Sequence, residues 1–124
     1  MDIDNKRIIV EFSKFAEKFL NIPHNYQLVL CFDRTDENLK THAYYNPDKN
    51  YIKVYAKGRC IADVLRSIGH EMVHHKQNLD HLLDQPIQDV GGDIENEANS
   101  LTGQMVKRFG YDHPELAIYD KTIL

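Results

Sequence analysis

CIADVLRSIGHEMVHHKQN, running from Cys60 to Asn78, is the stretch on which the fold reading turns. Ile61, Leu65, Ile68 and Met72, with Leu79 just beyond, recur at the spacing that aligns one side of an α-helix. The spacing therefore predicts a helix over about residues 60–78. At ~100° per residue these side chains fall within roughly 30° of the direction opposite His70. Ala62, Gly69 and Val73 are small or apolar and suit close approach of a second element. A helix buried on more than one side, yet carrying His70, Glu71 and His74 inward, needs a reason for that placement. The run His70-Glu71-Met72-Val73-His74 supplies one. Its two imidazoles sit one turn apart and differ by ~40° in direction, so both reach one ion while Glu71 flanks a water on it. Zinc is the expected metal and Glu71 the expected general base.

Three protein ligands and one open position suit a catalytic zinc site, so a third ligand is needed. Glu95 is the candidate. It lies in a second helix that starts at Gly92 or Asp93 and carries an apolar stripe of Ile94, Ala98, Leu101, Met105 and Phe109. Asn99, one turn after Glu95, is placed to hydrogen-bond and orient the ligands. Glu97 competes for the same role but points ~200° away from Glu95, so only one of the two can bind the ion. An acidic first turn complementing the helix dipole would suit either carboxylate.

Other zinc patterns fit less well. The metzincin continuation needs glycine and histidine where this chain has Gln77 and Asp80. His81 lies ~16 Å along a continuous helix from His70 and can share its ion only if the helix ends first. His75 points ~140° from His70, which predicts an exposed residue or one in the outer shell.

His70-Glu71-x-x-His74 followed by Glu95-x-x-Ala98-Asn99 resembles the gluzincin pattern of zinc peptidases, and its second half is similar to the ImmA/IrrE-type family. The resemblance covers roughly residues 41–109. It implies an α+β, zincin-like minimal metallopeptidase domain in which a small, mainly antiparallel sheet packs on an N-terminal helix, the HExxH helix and a glutamate-bearing helix. An edge strand would border the cleft. It also implies that His70, His74 and Glu95 bind zinc and that Glu71 is the catalytic base. The layout is similar to that of small peptidase-like proteins of tailed bacteriophages. Ser100-Leu101-Thr102-Gly103 replaces the continuation usual in the ImmA/IrrE-type family, a departure from that family's pattern.

A chain of 124 residues with 42% hydrophobic content has enough apolar material for one core, so residues 1–124 read as a single domain. A net charge of −4 and dispersed basic residues argue against a nucleic-acid partner. Cys31 and Cys60 form no disulfide framework, which favours reduced thiols. There is no signal-like N-terminus and no apolar run of bilayer length, so the expectation is no membrane partner and a cytoplasmic setting, or a virion for a phage-encoded chain.

Elsewhere, Ile8, Phe12, Phe15, Phe19 and Ile22 predict a helix from about Asn5 to Leu20, ended by Pro23. Gln27 to Phe32 reads as a strand and Asp33 to Asn38 as a loop. Thr41 to Tyr45 and Tyr51 to Tyr55 read as a hairpin around Asn46-Pro47-Asp48-Lys49-Asn50. The second of these strands offers either a docking edge for an extended substrate or an ordinary internal hairpin. Asp84 to Gly92 connects the two metal-bearing helices, and Gly110 with Pro114 closes the last one. Tyr111, His113 and Tyr119 are candidates to stabilise an oxyanion, or else form an aromatic tail packed on the domain.

The functional expectation is a zinc-dependent metallopeptidase that acts on a protein or peptide substrate, with Glu71 moving protons to and from a metal-activated water. The alternative is a metal-binding structural or regulatory protein, virion-associated if phage-encoded, with little or no turnover.

Overall fold

Helix α2, Ile61–Leu79, is the element around which the others assemble. The computed structural model describes residues 3–33, 42–83 and 92–124. Along the chain it contains α1 (Ile3–Leu20), β1 (Gln27–Cys31), β2 (Ala43–Asn46), β3 (Tyr51–Tyr55), α2, α3 (Asp93–Asp112) and a short 3-10 turn, Pro114–Leu116. The architecture is α+β. α2 packs against α1 and α3 and also against strands β2 and β3. Ile61, Leu65, Ile68 and Met72 are fully buried, and Ala62, Gly69 and Val73 on its other side are buried too.

Gly69 shows why that second side is small. A Cβ there would lie 3.1 Å from Thr102 Cγ2 and 3.4 Å from both Met105 Cε and Phe12 Cζ, so α1 and α3 close on α2 at this point. α1 contributes Ile8, Phe12, Ala16 and Leu20 to the same core, with Phe12 edge-on to Phe109 of α3 at 5.3 Å between ring centres. Phe19 departs from its expected place and is 41% exposed, because it lies at the edge of the face that buries Ala16 and Leu20, its ring 6.1 Å from that of Phe15. The chain leaves α1 through left-handed Asn21 (φ 55), which lets Ile22 N–H donate to Glu17 O at 3.0 Å before Pro23.

The sheet is mixed, with strand order β1-β3-β2, which corrects the mainly antiparallel expectation. β2 and β3 form the antiparallel hairpin, and β1 runs parallel to β3 on its far side. β3 is thus the central strand, paired on both edges, and cannot offer a docking edge. Its burial explains the choice: Ile52 and Val54 are fully buried beneath the helices, whereas β1 and β2 are only half-buried. The hairpin turns on Asn46, whose Oδ1 accepts the backbone N–H of Asp48 at 3.0 Å, and on left-handed Asn50 (φ 47). Thr41, most of the expected 33–38 loop and all but the last residue of the 84–92 connection lie outside the described residues.

The last residues cap α2. Its N-cap, Cys60, makes no side-chain cap, and the first helical N–H groups need other acceptors. Ile61 N–H donates to Lys121 O at 2.8 Å and Ala62 N–H to Ile118 O at 3.0 Å, while Ile118 and Ile123 are buried. α3 runs past Gly110 to Asp112, two residues further than the glycine signal implies, and Pro114 opens the 3-10 turn. Both cysteines are free. Among the described residues, no helix is long and apolar enough to cross a membrane.

Candidate metal centre

Near its C-terminal end, α2 presents His70 and His74 one turn apart, and the first turn of α3 brings Glu95 to them. Their ligating atoms converge. His70 Nε2 lies 3.1 Å from His74 Nε2 and 3.1 Å from Glu95 Oε2, and His74 Nε2 lies 2.9 Å from Glu95 Oε1. These three residues are the one His/Cys/Asp/Glu group of metal-binding size among the described residues. His81 is not in it, although α2 ends at Leu79, before it, and the chain continues through His81 in a left-handed conformation (φ 61).

The hydrogen bonds around His74 settle what its Nε2 offers. Gln77, 1% exposed, donates its amide Nε2 to Ile94 O at 2.9 Å and to Glu97 Oε1 at 3.1 Å. Two acceptors on that end of the amide turn its Oε1 towards His74 Nδ1, 2.7 Å away. Nδ1 therefore carries a proton, and Nε2 is left facing a carboxylate oxygen and a second imidazole. An acceptor facing acceptors is unfavourable until a proton or a cation sits between them. A tetrahedral ion with ligands ~2.0–2.1 Å away needs donor-to-donor edges of roughly 3.3 Å, close to the separations here. The donor set of two imidazoles and one carboxylate fits zinc.

Asn99 hydrogen-bonds the His70 ring. Burial, with His74 beside it, holds His70 below the ordinary histidine value against the opposing pull of Glu95 and Asn99, which favours the neutral, metal-ready ring. Glu71 is 8% exposed. Burial pushes its carboxyl up to about 7, His74 pulling it back and Glu95 adding to the rise. A carboxyl with that value sits where it can both take and give a proton near neutral pH.

Glu97 is not in the ligand cluster, yet it does not face away as its direction on the helix predicts: its carboxylate reaches α2 and accepts from the amide of Gln77 at 3.1 Å. Gln77 entered the sequence reading only as the residue that excludes another zinc pattern; its acceptors sit on α3, beyond any local signal. His75 corrects the expectation of an exposed or outer-shell residue: it is fully buried and bonded to Tyr45 and Asn25 on the side away from the cluster.

A cleft of about 750 Å³ opens along the cluster, between the start of β2 and the facing surfaces of α2 and α3. His70 and Glu71 line it, as do Asn99 and, further along, Arg66, Thr102 and Gly103. Tyr111, His113 and Tyr119 do not line it. Tyr111, on α3 and 74% exposed, fits neither expectation; His113 packs against Phe109, and the Tyr119 ring, itself 54% exposed, lies 5.9 Å from the Arg66 guanidinium. Compared with protein-family profiles, with curated proteins and with solved structures, the chain finds no match in any of the three.

Proposed function

We propose that this chain is a zinc-dependent metallopeptidase of zincin-like layout, with His70, His74 and Glu95 holding the ion and Glu71 acting as general base. One observation carries the reading: ligating atoms of His74, His70 and Glu95 face one another at 2.9–3.1 Å beside a buried glutamate, at the edge of an open cleft that His70 and Glu71 line. A structural zinc site is closed by four protein ligands, whereas this cluster has three among the described residues. Zinc bound there supplies a Lewis acid for a peptide carbonyl and a water of lowered pKa.

The residues of the chain do the rest. Gln77 holds the proton on His74 Nδ1, leaving Nε2 for the ion, and Asn99 orients the His70 ring. The Glu71 carboxylate takes a proton from the attacking water and keeps it on an Oε until the leaving amine nitrogen needs it. The cleft is open along one side and about 750 Å³ in volume, which suits an extended segment rather than a folded surface.

The test is mass-spectrometric cleavage mapping of native and denatured protein pools, with zinc-loaded Glu71→Gln protein as control. Glu71 is no ligand, so that variant keeps its ion while losing ~10²–10⁴-fold in rate. Cuts at few positions, in denatured or flexible segments only and abolished by a chelator, are expected. If zinc-loaded wild-type protein gives no cuts beyond the control, the metal-binding structural or regulatory reading replaces the peptidase.

A further inference from the structure

Gly103 sits inside α3, where a glycine is less favourable than an alanine and is retained only for a reason. Packing is not that reason. At Gly69 a Cβ would press on three neighbours, but at Gly103 it would meet nothing within 4 Å. The bare backbone at Gly103 faces the cleft. It continues a row, Glu95, Asn99, Gly103, spaced four residues apart along one side of α3. The row places Gly103 ~12 Å beyond Glu95, a span that an extended peptide covers in about three to four residues.

Two further features mark this arm of the cleft. Thr102, 5% exposed, turns its methyl group to Gly69, and its Oγ1 is buried without a hydrogen-bond partner although the residue lines the cleft. On the α2 side Arg66 lines the same arm, half-exposed, held by Asp63 Oδ1 and by the Tyr119 ring. Arg59 is also there, its guanidinium bonded to Tyr55 O, Asp63 O and Ser67 Oγ. Arg59 and Arg66 against Asp63 leave this arm with one net positive charge.

We infer that this arm is a subsite for an acidic side chain of the substrate, about three to four residues from the bond that is cut. Gly103 leaves the room, and Arg66, with Arg59 behind it, supplies the charge. The inference rests on the peptidase reading for its register, but its binding chemistry is separable from turnover.

The experiment uses zinc-loaded Glu71→Gln protein and fluorescein-labelled decapeptides of alanine and serine carrying one glutamate, glutamine or lysine, titrated by fluorescence anisotropy. The glutamate peptide should bind about three- to fivefold more tightly than the lysine peptide, the range of a partly exposed ion pair. Arg66→Glu should reverse that order. Gly103→Leu should weaken the glutamate peptide while keeping one zinc per chain, and leucine, the better helix former, gives α3 no cause to unfold. Equal affinities for the glutamate and lysine peptides, or unchanged affinity in Gly103→Leu, would overturn the subsite. Wild-type cleavage with no acidic preference would also overturn it while sparing the peptidase. Selective binding without wild-type cleavage would remove the peptidase and keep the subsite as a peptide-binding site.

Discussion

His74 and His75 are neighbours in the chain, both held by hydrogen bonds on α2, and they do opposite things. His75 is fully buried, and its bonds close: its Nε2–H donates to Asn25 Oδ1 at 2.7 Å, and Tyr45 O–H donates to its Nδ1 at 2.8 Å. Asn78 in turn donates to the Tyr45 oxygen at 3.0 Å and to Pro47 O at 3.2 Å, which fastens the β2–β3 hairpin to the helix. Burial keeps His75 neutral, and nothing further is required of it. At His74, once Gln77 accepts from Nδ1, the other nitrogen faces Glu95 and His70, and its bonds close only when a proton or a cation sits there. Residue type does not separate scaffold from site in this molecule. Whether donors and acceptors balance does, and the imbalance is located where a cation would remove it.

The comparison can be broken at either histidine. The largest effect is expected from Gln77→Leu, which removes the group that fixes the His74 tautomer while preserving most of the side-chain volume. Zinc affinity, measured by competition with a chelating indicator, should fall ~10–100-fold. Glu97→Ala, one bond further from the ion, should lose less. Affinity unchanged in Gln77→Leu would mean that the tautomer is set by something else.

His75→Phe should act on the other region alone. Asn25 and Tyr45 each lose a partner, and a urea midpoint should report a destabilisation of ~1–3 kcal/mol with zinc still at one per chain. Loss of zinc in this variant, at a pH where it remains folded, would join two networks that are separate in the structure.

A third effect is a pH dependence of the metal-free protein. The Glu71 carboxyl rises from 4.5 to about 7 on folding. Its protonated form is therefore favoured by the folded state, a contribution complete below about pH 4.5 and lost as the pH climbs through about 7. Glu71→Gln lacks this loss. Melting curves of the two metal-free proteins should therefore diverge between these pH values, the variant gaining on the wild type and the gap levelling above. Parallel curves would show that Glu71 is not perturbed.

The helical parts of this account were legible because each depends on local periodicity. The apolar stripe of α2, the start of α3 at Asp93 and the alignment of His70 with His74 all follow from ~100° per residue, whereas the meeting of Glu95 with them is a contact between helices. What stayed hidden depends on partners distant in sequence. The burial of His75 comes from Tyr45 and Asn25, 30 and 50 residues away, and no helical wheel contains them. The work of Gln77 comes from a carbonyl and a carboxylate on α3. The parallel pairing of β1 with β3 depends on how the chain crosses over, not on the alternation within either strand. The tail caps α2 through the backbone carbonyls of Ile118 and Lys121, and a backbone acceptor leaves no mark on residue type. Gly103 could be read as a weak point in a helix, but that it faces a cleft rather than a neighbour is a tertiary fact.

The most direct measurement is zinc per chain by native mass spectrometry, made side by side on wild type, His75→Phe, Glu95→Ala and the His70→Ala, His74→Ala double variant. One ion is expected in wild type and in His75→Phe, sharply reduced occupancy in Glu95→Ala, and none in the double variant. Full occupancy in the double variant, or a wild type that holds no zinc when it is supplied, would contradict the site.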